Sequence, residues 1–224
     1  MTAIRNRRVT LIKSKAGLPL KDYDAHWSGP HAAIAKDLPG LIWYVQNHVV
    51  RCLTSPQGRF GEAHGIAEVA FEDPEKLRGT VTGWSRVGEL RADETAFLGD
   101  KFTFVTEVPN NLPELHQRRI IAMLERPSDG SDGPGEDELA KVAEALSAVG
   151  AAHAEMVTND PDMRSDDPET QPHALIFVEL PVGVRAEALT PGGPILGPIA
   201  ALNLPASVYL VAAEAKRLPI DLPQ

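Results

Sequence analysis

W-S-G-P-H-A-A-I-A-K-D-L-P-G-L-I-W-Y-V-Q-N-H-V-V, the stretch from Trp27 to Val50, joins a helix to a strand across one tight turn. Around it, Leu20, Tyr23, Trp27, His31, Ile34 and Leu38 recur at helical spacing. At about 100° per residue they fall in one stripe roughly 80° wide, the apolar face of a core-facing helix. Lys21, Asp22, Lys36 and Asp37 lie outside the stripe. Gly29-Pro30 interrupts the pattern, because proline lacks a helical donor and restricts the residue before it. The spacing predicts a helix over 20–36 that kinks or breaks just before His31. A histidine in such a stripe is either a paired core residue, as buried polar groups usually are, or a group that the break turns toward a cavity. His26, five residues earlier, falls outside the stripe and is expected at the surface, diverging from His31.

Pro39-Gly40 ends the helix, and Leu41–Val50, rich in β-branched and aromatic residues, reads as a strand. Alternation puts Tyr44, Gln46 and His48 on one face and Trp43, Val45, Asn47 and Val49 on the other. Both faces carry large side chains, which suits a sheet covered by helices on one side and by another sheet on the other. The next strand, Gly65–Phe71, places Glu68 among apolar neighbours. That carboxylate is either an outward-facing group of an alternating strand or a pocket group.

These segments resemble the EthD family, within the dimeric α/β-barrel superfamily. The resemblance runs through Trp27–Val50, through H-G-I-A-E-V-A-F around Glu68, and through R-A-D-E-T-A-F-L-G-D, where Asp93, Glu94, Phe97 and Asp100 match the family pattern. It covers Arg8 to Val108. One departure is Pro19, where the family usually has a serine that caps the first helix. The resemblance implies a pocket-facing histidine at His31, which favours the cavity reading of that residue. It also implies enzymes and accessory proteins that handle aromatic, lactone or polyketide-like metabolites without a flavin or nucleotide.

The order of elements runs twice through the chain. Residues 8–14, 20–36, 41–51, 65–71, 74–97 and 101–108 read as strand, helix, strand, strand, helix, strand. Residues 117–125, 136–149, 152–158, 173–180, 193–202 and 206–213 read as the same βαββαβ order, although residue-level similarity between the halves is slight. The expected fold is α+β: tandem ferredoxin-like repeats, 1–112 and 113–224. Each repeat leaves one sheet face apolar, and packing sheet against sheet within one chain buries both, giving an intrachain dimeric α/β-barrel. Further self-association into a homo-oligomer is compatible with this arrangement.

Composition narrows the function classes. The single cysteine, Cys52, rules out an intramolecular disulfide and a cysteine-based zinc site. The N-terminal M-T-A-I-R-N-R-R-V has no apolar run of a secretion signal, so a cytoplasmic protein is expected. Thr190–Ala213 is uncharged over 24 residues, yet Pro191, Pro194, Pro198 and Pro205 make it read as a short buried helix and a buried strand rather than a membrane span. Net charge is −9, and no basic aromatic patch is visible, which argues against nucleic acid. Glycine-rich phosphate loops and H-E-x-x-H are missing, and no metal site is expected.

The halves differ chemically. Through Leu112 there are 14 Lys and Arg against 13 Asp and Glu; from Pro113 there are 8 against 18. The acids of the second half concentrate in Asp129–Glu138 and Asp160–Glu169, which read as solvated loops. Ten of the twelve aromatics lie in the first half, including Trp27, Trp43 and Trp84, and aromatics with a few placed polar groups line small-molecule pockets. The largest cavity is therefore expected between the first-half helices and their sheet, bordered by Trp27, His31, Tyr44 and His48. Candidate catalytic residues are His31 for proton transfer near neutrality, with Tyr44 or His48 donating to an enolate or oxyanion. Candidate substrate-binding residues are Trp27, Glu68, Trp84 and Phe97, with Glu68 also able to hold a histidine tautomer. The expected ligand is a small hydrophobic or aromatic metabolite. Isomerisation, cyclisation or dehydration fits this inventory, and cofactor-independent oxygenases in the superfamily keep an oxidoreductase in view. The alternative is a non-catalytic carrier, or a haem-binding accessory protein with His31 as iron ligand, as in some superfamily relatives.

Overall fold

Eight strands form one antiparallel sheet in the computed structural model, which describes residues 6–55, 62–72, 83–108, 114–128, 130–158 and 171–217. The strands are β1 (Asn6–Ser14), β2 (Leu41–Thr54), β3 (Gly65–Phe71), β4 (Leu98–Glu107), β5 (Arg118–Leu124), β6 (Ala151–Met156), β7 (Ala174–Glu179) and β8 (Ala206–Arg217). Their order is β4-β1-β3-β2-β8-β5-β7-β6, the ferredoxin-like order 4-1-3-2 twice over. The expected α+β fold, an intrachain dimeric α/β-barrel, is what the chain adopts.

The junction between the halves differs from two separate sheets laid face to face. β2 pairs edge to edge with β8 from Tyr44↔Arg217 to Thr54↔Val208, with three register shifts along the ladder. Such shifts bend a strand and sharpen its twist, so the continuous sheet curls. At its far edges β4 and β6 meet through the Thr106↔Val157 bridge and the bond from Thr158 N–H to the Val105 carbonyl (2.9 Å). The interior then draws one core from both halves: Val9, Leu11, Ile66 and Phe104 from the first, Ile121, Met123, Phe177 and Val211 from the second. Each side chain of this kind, fully buried, contributes about 1.5–3 kcal/mol.

Charge is buried in the same interior. Arg7 on β1 pairs with Glu68 and Glu155, and Arg119 on β5 pairs with Glu68 and Glu179. All five side chains are essentially inaccessible to solvent. Both guanidiniums lie over the Phe177 ring, 4.6 and 5.0 Å from its centroid. Asn47 Nδ2 donates to Glu68 (2.8 Å), and Thr106 Oγ1 donates to Glu155 (2.6 Å). Each arginine thus has one carboxylate in its own half and one in the other. The network ties the halves in a single register.

Helices cover the outer face of the sheet. In the first half α1 (Leu20–His26) runs through a π-helical turn (Trp27–His31) into α2 (Ala32–Ala35), and α3 (Val87–Phe97) packs beside them. Pro19 stands at the N-cap without a side-chain capping bond, so the helix begins without a side-chain cap. In the second half α4 (Glu136–Leu146) and the short α5 (Leu196–Ala200) cover Ile120, Leu124 and Ile176. The uncharged stretch 190–213 contains α5 and most of β8, and no helix among the described residues is long and apolar enough to cross a membrane. Parts of three expectations lie outside the described residues: the helix start over 74–82, the acidic loop 160–169 and the boundary at 112/113.

Candidate functional site

The expected break before His31 is instead a continuous, widened turn. Pro30 sits inside the π turn Trp27–His31, where its missing N–H would interrupt an α-helical ladder. Side chains take up nearby carbonyls: Gln46 Nε2 donates to the Trp27 carbonyl (2.8 Å) and Lys216 Nζ to that of Ser28 (2.8 Å). β2 and β8 therefore anchor the turn directly.

The widened turn also corrects the expectation for His26. On an α-helix two residues five apart diverge by about 140°; a turn closed by i→i+5 bonds brings them into line. His26 Nε2 and His31 Nδ1 each lie 2.7 Å from one oxygen of Asp93 on α3. His26 is half-buried, its ring 4.7 Å from that of Phe97, rather than free at the surface. A carboxylate only accepts, so both ring nitrogens donate. His31 is then the Nδ1–H tautomer with Nε2 as its basic nitrogen. Burial lowers the His31 pKa and outweighs the opposing pull of Asp93, so the ring is neutral in the range where a base is useful.

A third histidine, His48 on β2, makes a separate centre. Its Nδ1 is 2.8 Å from Asp24 Oδ1, its Nε2 is 3.3 Å from Ser28 Oγ, and Ser28 donates to Glu214 (2.7 Å). Trp27, fully buried, fills the space between helix and sheet with its ring 4.7 Å from that of His48. Gly65 makes room for it: a Cβ there would lie 2.6 Å from Tyr23 Oη and 2.7 Å from Trp27 Cη2. Tyr44 Oη accepts from Gln46 Nε2 (2.6 Å), and burial raises its pKa, so the phenol keeps its proton as a donor. Tyr23 Oη and Gln46 Oε1 in this layer are buried without a hydrogen-bond partner.

Trp27, His31, Tyr44, His48 and Phe97 thus share the helix-covered face, with Phe97 5.0 Å from the His31 ring. Trp84 packs into the adjoining cluster of Ile34, Leu41, Tyr44 and Leu90. Glu68 does not join them. β3 pairs it with Val45, on the barrel side of the sheet, where it serves the two arginines. The carboxylates that orient the histidines are Asp93 and Asp24, which sequence reasoning did not assign to the site. Asp93 carried a signal: it precedes Phe97 by four residues, so both lie on one face of α3.

A sizeable cavity lies elsewhere. It measures about 590 Å³, lies between α4 and β6 and is lined almost wholly by second-half residues. The first-half layer is occupied by Trp27, Tyr23 and Phe97 instead. A haem held by His31 would require this packing to open. Only 10 % of the His31 side chain is exposed, and Phe97 lies against it. Among the described residues no group of three or more His, Cys, Asp and Glu side chains is placed to hold a metal ion.

No protein-family model matches the chain, and no curated protein matches it significantly. Solved structures do resemble it along its whole length. An anthrone oxidase-like protein aligns with a TM-score of 0.58 at 8% identity, covering 98% of this chain and 97% of the other. A protein described as a monooxygenase from Fusobacterium nucleatum subsp. nucleatum gives 0.58 at 6% identity, with both chains covered completely. One described as a chlorite dismutase gives 0.53 at 8% identity over 95% of this chain and 96% of the other. At such identities the likeness establishes the fold.

Proposed function

We propose that this chain binds a small hydrophobic or aromatic metabolite on the helix-covered face of β2 and transfers a proton there with His31, as an EthD-like, cofactor-independent enzyme. The observation that carries the reading is the 2.7 Å bond from His31 Nδ1 to Asp93, which leaves Nε2 as the base of a buried, neutral imidazole. Tyr44 supplies a protonated phenol in the same layer, and His48 a second oriented imidazole. The unpaired Tyr23 and Gln46 atoms leave hydrogen-bonding capacity for a polar group of the ligand. Trp27, Phe97 and Trp84 supply the apolar surroundings, and Glu68 supports the site only through the barrel wall.

Removing a carbon-bound proton opens isomerisation, cyclisation or dehydration, and an electron-rich carbanion also reacts with oxygen. The oxidase-like and monooxygenase-described neighbours support keeping the oxygenase branch. Anthrone is therefore a reasoned first probe: loss of a methylene proton gives its anion, and reaction with O2 then yields anthraquinone and water. The division into residues 1–112, carrying the site, and 113–224, mainly structural, belongs to the same proposal. So do a cytoplasmic location and a homo-oligomer.

The test follows methylene deuterium exchange and quinone formation from anthrone beside a thermal melt. His31→Ala and Asp93→Asn are expected to slow exchange about a hundredfold while the fold persists. Binding without exchange in the wild type would favour the accessory-protein reading, which the close packing around Trp27 also suits. Unchanged binding and exchange in both variants, with a lowered melting temperature, would return His31 to a packing role.

A further inference from the structure

The 590 Å³ groove between α4 and β6 has a chemical character of its own, independent of the His31 site. α4 and its C-cap present Glu136, Ala140, Ala143, Glu144 and Ser147 to it, spaced as one helical stripe. Alanines at 140 and 143 face alanines at 152 and 154 on β6, so short side chains keep the space between helix and strand open. Leu139, Val108 and Met156 add apolar surface, the last with an unbranched side chain that adapts to different shapes.

Glu107, Glu136 and Glu144 line the same groove and are exposed. None of the three forms an ion pair with a described residue, and Lys141 on the same helix is not part of the lining. The other wall is a strand edge. β6 pairs with β7 on one side, while toward β4 the sheet closes only at Thr106↔Val157, leaving the Ala152–Met156 edge without a strand partner among the described residues. Carbonyls along such an edge accept hydrogen bonds. His153 lies toward the barrel side of β6 instead, stacked on Phe177 and bonded through Nε2 to Glu155 (3.1 Å).

An apolar slot of this size, walled by backbone acceptors and rimmed by three uncompensated carboxylates, is complementary to one kind of small molecule. We infer that the groove binds an organic cation with an apolar body, an arylalkyl or alkyl primary amine. The ammonium sits at the glutamate rim, and the hydrocarbon lies between the alanines of α4 and β6.

Calorimetric titration of the whole chain with 4-phenylbutylamine, 4-phenylbutanol and 4-phenylbutanoate tests this with one body and three charges. The amine is expected to bind at one equivalent, the alcohol at least fivefold more weakly, and the carboxylate not at all. The double variant Glu136→Gln/Glu144→Gln should weaken the amine about tenfold and leave the alcohol unchanged, and added salt should act in the same direction. Ala140→Phe, at an exposed position, should fill the slot and abolish binding of both. Failure of the amine to bind, alcohol binding as tight as the amine, or amine binding that survives Ala140→Phe would overturn the inference. The last result would show only general attraction to an acidic chain, or binding at another site.

Discussion

Glu68→Gln is expected to cost about 3–5 kcal/mol of folding stability, the usual penalty for removing one partner of a buried ion pair. Glu68 is fully buried and accepts from Arg7, Arg119 and Asn47 at once. Glutamine keeps the volume and removes the charge, leaving two guanidiniums with less compensation than desolvation requires. Against a total of about 5–15 kcal/mol for a domain, that is a large fraction. The same network sets an acid limit. Burial alone would raise the Glu68 and Glu155 pKa values, but the arginines reverse the sign, and Glu155 falls to about 2. Carboxylates held below their ordinary value of 4.5 stabilise the fold above that pH, and the contribution is lost as pH falls through their folded values. Glu179, raised by burial despite Arg119, has the opposite sign and takes up a proton first. Urea melts of wild type and variant between pH 7 and pH 3 are expected to converge as acid removes what the mutation removed. Parallel curves across that range would show that the network contributes no pH-dependent stability.

Trp27→Ala is expected to cost about 3–5 kcal/mol and to loosen both histidine centres. The indole is fully buried against Tyr23, His48 and the Cα of Gly65, so truncation leaves a hole that neighbouring elements fill only in part. The Gln46 bond to the Trp27 carbonyl is a backbone tether and survives the change. The variant should therefore fold, with a lower urea midpoint and altered near-ultraviolet dichroism. A loss under about 1 kcal/mol would mean that the ring contributes little to holding α1 on the sheet.

The order of strands and helices was legible because two periodicities, 3.6 and 2, carry it. The stripe from Leu20 to Leu38 correctly put Trp27 and His31 inward, and alternation along 41–50 correctly grouped Tyr44, Gln46 and His48. Glu68 shows where that logic stops. Parity is readable within a strand, but the face shared by two strands depends on their register, which only pairing sets. His26 was misplaced because an α-helical wheel has no provision for a π turn at Gly29-Pro30. Asp93 stood in a recognised motif, yet its role needed the packing of α3 against the turn. The groove on α4 escaped notice because alanines, not aromatics, define it.

The central claim is that His31 is a neutral base oriented by Asp93, and nitrogen-15 NMR of the imidazole rings tests it most directly. A pH titration with His31 assigned through the His31→Ala spectrum should show the Nδ1–H tautomer at neutrality and protonation only below the ordinary value of 6.5. Stability linked to this ring is then present above pH 6.5 and lost as pH falls through the lower folded value. An Nε2–H tautomer, or an imidazolium at neutral pH, would contradict the account.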